Sequence, residues 1–373
     1  MEKAPVRSAP MIALCGLLLA SAAVDAGTPL LSRAVLLGEP ELWFPQLSPD
    51  GTRLAFIRPD AKNVPQLVVR TGTDELVVTE EVNRGLRTFR WTEDSNALVF
   101  PRDENGDERF HLMVIELATK TTRDLTPWSD SRNELLETSP KAPEILLVTS
   151  NKRDPKTSDV VRINWKTGAV VLDTQNPGDV TQWWADVDLK VRAAKAALPN
   201  GSTEVRVRDT VKSPWRALIT ASLEESIRPY GFTFDGKSLL LSSTISSDTD
   251  RVIEKSIKSG TERLLATNPK SDVTEVTWNH YAASLRAVAF EVNGRREWTS
   301  LDWIYGLETD RLKTVKAGDW ELLSTDKADQ KWVLAFSSEA QPVSYVVWDR
   351  KAQQATPIGR PFHSSRSSTT SCA

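Results

Sequence analysis

The stretch that decides the fold is Ser48-Pro49-Asp50-Gly51-Thr52-Arg53-Leu54-Ala55-Phe56, near the start of the chain. It predicts a tight turn followed by a short apolar strand. Pro49 fixes φ, Asp50 can hydrogen-bond to its own backbone, and Gly51 accepts a positive φ, as such a turn requires. The same pattern returns further along the chain, so this stretch is the first copy of a repeat.

The other copies again place turn residues before an apolar strand. They are Thr92–Phe100, Ser139–Leu147 and Thr233–Leu241, with weaker copies that end at Ala194, Phe290 and Phe336. The last apolar residues of the seven copies recur at intervals of 44 to 49 residues. A period in the forties with little helix signal between copies is typical of a propeller blade of four antiparallel strands. We therefore predict an all-β fold, a seven-bladed β-propeller of four-stranded antiparallel blades. An open sandwich array and a solenoid are the alternatives, and the polar turn before each outer strand disfavours both.

The first unit illustrates how four strands fit one repeat. The predicted strands are Leu42–Leu47, Leu54–Ile57, Gln66–Arg70 and Glu75–Thr79. In the second unit Thr88–Trp91 is the predicted first strand, and Arg102–Glu108 is a polar hairpin loop. The fourth unit fits worst, because Val191–Leu198 is rich in Ala, Lys and Arg, but the period passes through it unchanged. Most of the 13 Trp residues fall at strand positions, which indicates packing between blades.

The predicted domain boundaries follow from this repeat. Residues 1–26 are predicted to be a cleavable signal peptide, because basic residues precede the short apolar run Met11–Ala20 and Val24-Asp25-Ala26 fits a cleavage site. An uncleaved anchor is the alternative, disfavoured by the shortness of the run. Residues 27–41 form a lead-in segment, 42–358 the propeller, and 359–373 a disordered tail rich in Ser, Thr and Arg. We expect a periplasmic or secreted protein.

Composition limits the function classes. The chain has 47 basic and 50 acidic side chains, which gives no electrostatic reason to expect a nucleic acid partner. Signal cleavage would remove Cys15 and leave Cys372 alone, so neither a disulfide within the chain nor a cysteine metal site is predicted.

Several motifs suggest chemistry that their context does not support. Gly231–Ser238 matches the phosphate-loop pattern, but it aligns with the blade turn and continues as a strand, where a phosphate loop would open a helix. No two glycines stand four positions apart, so the nucleophile elbow of a serine hydrolase is absent. Arg102–Glu108 resembles a calcium loop in composition but lacks the bidentate Glu at its twelfth position.

The remaining candidates are isolated polar residues. His111, His280 and His363 are predicted to be exposed or hydrogen-bonded surface side chains, because the tail histidine is not expected to join the others at a metal. The adjacent acids Glu80-Glu81 and Glu224-Glu225 could bind a peptide amine, but such pairs on a surface are usually only solvated. We therefore assign no catalytic, cofactor-binding or metal-binding residue, and no cofactor.

Seven degenerate blades that open on Ser48-Pro49-Asp50-Gly51, with an acidic hairpin at Asp103–Glu108 in the second, resemble the propeller of exported prolyl oligopeptidase-family serine peptidases. The acylaminoacyl and dipeptidyl peptidase branches are included, and the resemblance covers about residues 30–358. It implies a propeller that restricts access of peptides to a C-terminal α/β-hydrolase domain, which carries the catalytic residues. No catalytic residue carries over to this chain, and the change in composition after Ile358 suggests a truncated or frameshifted reading frame.

The sequence thus predicts the non-catalytic propeller portion of such a peptidase. The alternative is a stand-alone periplasmic propeller, a scaffold like that of the Tol system, which binds a protein or peptide partner through its funnel or an exposed face. No membrane partner is expected after signal cleavage. A face left uncovered by the missing domain predicts self-association.

Overall fold

The structure of the protein is a computed structural model that describes residues 40–104, 106–315, 318–338 and 341–359. The predicted signal peptide and His363 lie outside the described residues, as do most of the lead-in segment and nearly all of the tail. Within those ranges the chain forms the predicted seven-bladed β-propeller.

Each blade is an antiparallel sheet of consecutive strands. Blade 1 contains β1 (Trp43–Leu47), β2 (Arg53–Pro59), β3 (Pro65–Thr71) and β4 (Asp74–Val77). Blade 2 contains β5 (Arg90–Trp91), β6 (Ala97–Arg102), β7 (His111–Glu116) and β8 (Thr121–Asp124). Blade 3 contains β9 (Asn133–Thr138), β10 (Ile145–Asp154), β11 (Thr157–Asn164) and β12 (Val170–Thr174). Blade 4 contains β13 (Val180–Ala185), β14 (Val191–Ala197), β15 (Thr203–Val207) and β16 (Arg216–Ala221).

Blades 5 and 7 follow the same pattern, and blade 6 departs from it. Blade 5 contains β17 (Ile227–Phe232), β18 (Ser238–Ser243), β19 (Arg251–Ser256) and β20 (Glu262–Ala266). Blade 6 contains β21 (Val273–Asn279), β22 (Ser284–Val292) and β23 (Arg295–Ser300), followed by the helix α1 (Trp303–Val315). Blade 7 contains β24 (Asp319–Thr325), β25 (Lys331–Ser338), β26 (Gln341–Asp349) and β27 (Gln354–Gly359). Six blades have the predicted four strands, and blade 6 has three strands and a helix.

Helix α1 is the element that the repeat did not predict. Asp302 caps it, because its Oδ1 accepts a hydrogen bond from the backbone N–H of Ile304 at 2.9 Å. Its buried residues Tyr305, Glu308 and Leu312 lie at helical spacing and face blade 7. The buried Glu308 accepts a 2.9 Å hydrogen bond from Trp348 Nε1, which ties the helix to that blade. The repeat predicted a fourth strand at this place.

The core is divided among the blade interfaces. Each of the seven buried apolar clusters found in the described part of the chain joins two neighbouring blades, including blades 7 and 1. Second strands such as β18 are buried along their whole length, because both faces of a blade are covered. The prediction that tryptophans pack between blades is confirmed for Trp165 and Trp332, which are almost fully buried. The Ala-rich segment of unit four is the regular strand β14.

In the part of the chain that the structure describes, blades 1 and 7 close the ring without exchanging a strand. The backbone N–H of Leu47 donates to Ser324 Oγ at 3.1 Å, and that of Lys327 donates to the carbonyl of Pro49 at 2.8 Å. Lys331 Nζ donates to the carbonyl of Gly51 at 2.9 Å. The first copy of the turn therefore also forms the seam of the ring.

Candidate functional site

The turn that follows the innermost strand of each blade forms one mouth of the central tunnel. In blade 1 the backbone N–H of Gly51 donates to the carbonyl of Ser48 at 2.8 Å, and Gly51 has the positive φ that its turn requires. The second residue of this turn lines a cavity at this mouth in every blade. These residues are Pro49, Glu93, Pro140, Val187, Phe234, Tyr281 and Lys327.

Three polar side chains from different blades meet at this mouth. Glu93 Oε1 accepts a 2.6 Å hydrogen bond from Thr138 Oγ1 and a 2.8 Å hydrogen bond from His280 Nε2. Glu93 belongs to blade 2 and Thr138 to blade 3, whereas His280 belongs to blade 6, on the opposite side of the ring. We call this group of three side chains the cross-tunnel bridge.

Glu93 is the buried member of the bridge. Its side chain is 4% exposed, and its Oε2 atom has no hydrogen-bond partner among the described residues. Burial by itself would raise the pKa of Glu93, but the hydrogen bond and charge of His280 and the hydrogen bond from Thr138 outweigh it and lower that pKa below its ordinary value. Glu93 is therefore held as a carboxylate with one oxygen unused.

Other ionisable groups surround the bridge. His280 Nδ1 lies 3.7 Å from Glu137 Oε1, and Arg90 lies 3.8 Å from the same oxygen. Burial, together with the carboxylates of Glu93 and Asp326, raises the pKa of Tyr281, so its hydroxyl stays protonated. The mouth thus presents carboxylates, an imidazole, a guanidinium and a neutral phenol in one small space.

The cross-tunnel bridge separates two cavities. One measures about 370 Å³ and the other about 210 Å³, and Thr138, Trp278, His280 and Tyr281 line both of them. The larger cavity has aromatic walls contributed by Trp184, Tyr230, Phe232, Phe234, Trp278 and Tyr281. Its volume lies in the range of small-ligand sites. Together the two cavities involve all seven blades, as expected for a tunnel on the ring axis.

The structure shows what the motifs noted in the sequence form. Gly231–Ser238 is the end of β17, a turn and the start of β18, so the phosphate-loop match is a blade turn, as predicted. The described residues of Arg102–Glu108 form the predicted connection between β6 and β7. Within the described ranges, no group of three or more His, Cys, Asp or Glu side chains could hold a metal ion. No helix there is long and apolar enough to cross a membrane.

The isolated polar residues that the sequence offered as candidates lie in different parts of the ring. His111 contacts Asp124 at 2.6 Å on the outer side of blade 2, as expected for a hydrogen-bonded surface histidine. His280 is half-buried, and it lies at the tunnel mouth rather than on the outer surface. Of the adjacent acids, Glu81 pairs with Arg102 and Glu225 binds the Ser222 backbone N–H at 2.9 Å, so the acidic pairs do not converge.

The sequence reasoning missed Glu93, although the repeat contained the signal that would identify it. Glu93 occupies the turn position that Pro49 occupies in blade 1. Aligning the seven turns by this position collects the residues that surround the axis. His280 occupies the first turn position, where Ser48 stands in blade 1 and Thr92 in blade 2.

No protein-family model matches the chain. A dipeptidyl aminopeptidase BIII of Pseudoxanthomonas mexicana is 28% identical over 337 residues, which cover 89% of this chain and 49% of that protein. Over that region the chain is homologous to this dipeptidyl aminopeptidase. The homology covers the propeller, and the chain spans about half the length of the curated relatives that it matches.

Solved structures share the propeller fold of this chain. A prolyl endopeptidase aligns with a TM-score of 0.63 at 13% identity, over 86% of this chain and 50% of the other. The β-propeller domain of the Trilobed protease from Pyrococcus furiosus aligns with a TM-score of 0.59 at 11% identity, over 87% of this chain and 97% of that domain. That domain is described as having an open velcro topology.

Proposed function

We propose that this propeller controls which peptides reach a peptidase catalytic domain. The observation that carries the proposal is the homology to a dipeptidyl aminopeptidase over 89% of the chain. The matched region makes up about half of that relative, so catalysis would belong to the other half. The expectation that this chain has no catalytic residues of its own belongs to the same proposal.

The tunnel mouth supports this role through its narrowness. Seven turn residues surround the axis, and the cross-tunnel bridge divides the space between them into two small cavities. A peptide that passes here would have to displace His280 from Glu93. A long or disordered peptide would lose more conformational entropy than a short one in doing so, so passage through the mouth favours short peptides. The bridge would thereby act as a size filter.

A propeller exchange would test the proposal. Residues 40–359 replace the matched region of the P. mexicana enzyme, and kcat/KM is measured for a short and a long peptide with the same cleavage site. His280→Ala removes one member of the bridge, and His111→Ala is the matched control, because that histidine lies on the outer side of blade 2. We expect His280→Ala to reduce the preference for the short peptide by about fivefold or more, while His111→Ala leaves it unchanged.

Equal preference in all three proteins would overturn the size filter. If the exchange protein is inactive, a second measurement tests the proposal. It is the association of this chain with the remaining half of the P. mexicana enzyme, measured by sedimentation velocity. Lack of association, together with co-purification of another envelope protein, would favour the stand-alone scaffold. Labelling of the purified chain by a fluorophosphonate would show that it has a catalytic nucleophile of its own and contradict both functions.

A further inference from the structure

Blade 2 has an incomplete inner strand. The sequence predicted a strand over Thr88–Trp91, but β5 contains only Arg90 and Trp91, which pair with Val99 and Leu98 of β6. β6 continues to Arg102, so its last three residues extend beyond the inner strand. A gap therefore opens in the tunnel wall between blades 1, 2 and 3.

The gap is an aromatic cavity of about 330 Å³, which we call the Phe44 pocket. Its apolar walls are formed by Phe44, Phe89, Val99, Phe100, Phe110 and Leu135. Phe44 and Phe89 contact edge to face, with ring centroids 5.5 Å apart. The volume is at the lower end of the range for ligand pockets and suits one large apolar side chain.

Phe44 is unusual in both backbone and exposure. Its φ is +57°, in the left-handed region that bulky residues rarely adopt, and it lies beside an irregularity in the pairing of β1 with β2. Phe44 is nevertheless 41% exposed. An aromatic side chain held in a strained backbone and left partly in water is a feature of ligand contacts rather than of a core.

Arg90 supplies a charge next to this pocket. It lines both the Phe44 pocket and the smaller tunnel cavity, and its side chain is 50% exposed. The nearest carboxylate is that of Glu137 at 3.8 Å, which is beyond hydrogen-bond distance. Glu134 at the rim is already paired with Arg132 at 2.7 Å. Among the described residues the Arg90 side chain makes no hydrogen bond, so it presents donors in a fork that fits a carboxylate.

We propose that the Phe44 pocket and Arg90 bind the C-terminal residue of a peptide. A large apolar side chain occupies the pocket, and the terminal carboxylate accepts hydrogen bonds from Arg90. The open end of β6 lies beside the site, where an extended peptide backbone has room. This site adjoins the cross-tunnel bridge at Arg90, which lines both cavities, and it does not depend on the proposed control of a catalytic domain.

Calorimetry with the purified chain tests the proposal. The probe is N-acetyl-Ala-Ala-Phe, compared with its C-terminal amide and with N-acetyl-Ala-Ala-Ala. We expect the amide to bind about tenfold more weakly, as for the loss of a charge-assisted hydrogen bond. Arg90→Gln should remove the discrimination between acid and amide, and Phe44→Ala should remove the preference for Phe over Ala.

The readout is a ratio of affinities within each variant, so a general loss of stability does not imitate the result. Arg263→Gln is the control, because that arginine lies on the outer strand β20, where it pairs with Glu254. Equal binding of acid and amide by the wild-type chain would overturn the proposal, as would an Arg263→Gln effect equal to that of Arg90→Gln. Binding of decanoate as tight as that of the peptide would assign the site to a fatty acid instead.

Discussion

The cross-tunnel bridge makes the strongest quantitative prediction. His280→Ala leaves the buried Glu93 carboxylate with a single hydrogen bond, from Thr138 at 2.6 Å. A hydrogen bond to a charged group contributes about 1.5–3 kcal/mol. Because the His280 side chain is 29% exposed, water replaces part of the lost interaction, and we expect His280→Ala to cost about 2 kcal/mol.

A double-mutant cycle isolates the pairwise contribution. The four proteins are the wild type, Glu93→Gln, His280→Ala and the double variant, each unfolded in urea at pH 7. Once Glu93→Gln has removed the carboxylate charge, His280→Ala no longer removes a hydrogen bond to a charged group, so the two single losses should not add. We expect a coupling energy of about 1.5 kcal/mol.

The pH dependence has a definite sign. The pKa of Glu93 is lowered in the folded state, so the stabilisation is present above the ordinary value of 4.5 and is lost as the pH falls through the lowered value. The advantage of the wild type over His280→Ala should therefore shrink in acid. The control is the equivalent cycle between His111 and Asp124, a more exposed pair, where we expect less than about 1 kcal/mol. A coupling between Glu93 and His280 below about 0.5 kcal/mol at pH 7 would refute the reasoning.

Two further predictions concern single turns and strands. Gly51→Ala and Gly72→Ala both place Ala at positive φ, which costs about 1–2 kcal/mol in each case. A Cβ at Gly51 would also lie 2.9 Å from Asp326 Oδ2, whereas a Cβ at Gly72 would have no neighbour within 4 Å. Gly51→Ala should therefore lower the free energy of unfolding by at least about 1 kcal/mol more than Gly72→Ala does. Equal losses in the two variants would contradict this. Burial raises the pKa of Asp250, and its Oδ1 has no hydrogen-bond partner among the described residues. The folded state therefore disfavours the carboxylate, and Asp250→Asn should become increasingly more stable than the wild type as the pH rises above the ordinary value of 3.8, measured by urea midpoints. A variant less stable than the wild type at pH 7 would contradict this, since Asn can still accept the 2.8 Å hydrogen bond from Ser242.

The sequence alone determined the architecture of this protein. Turn formation is local, so the residues from Ser48 to Gly51 specify their own geometry, and the recurrence of the pattern to Phe336 counts the blades. Apolar runs such as Leu239–Leu241 identify strands that are covered on both faces, because adjacent blades bury each other. The same local logic identified the phosphate-loop match at Gly231–Ser238 as a turn.

Only the tertiary structure decided what stands at the axis of the ring. Glu93 and His280 are 187 positions apart, and no spacing in the chain indicates that the closed ring brings their side chains within 2.8 Å. The short inner strand β5 and the helix α1 are departures from the repeat, and the helix packs against blade 7. A repeat predicts what its copies share, because that part is local. The proposed function of this propeller depends on the positions where single copies differ, and those side chains meet only when the ring closes.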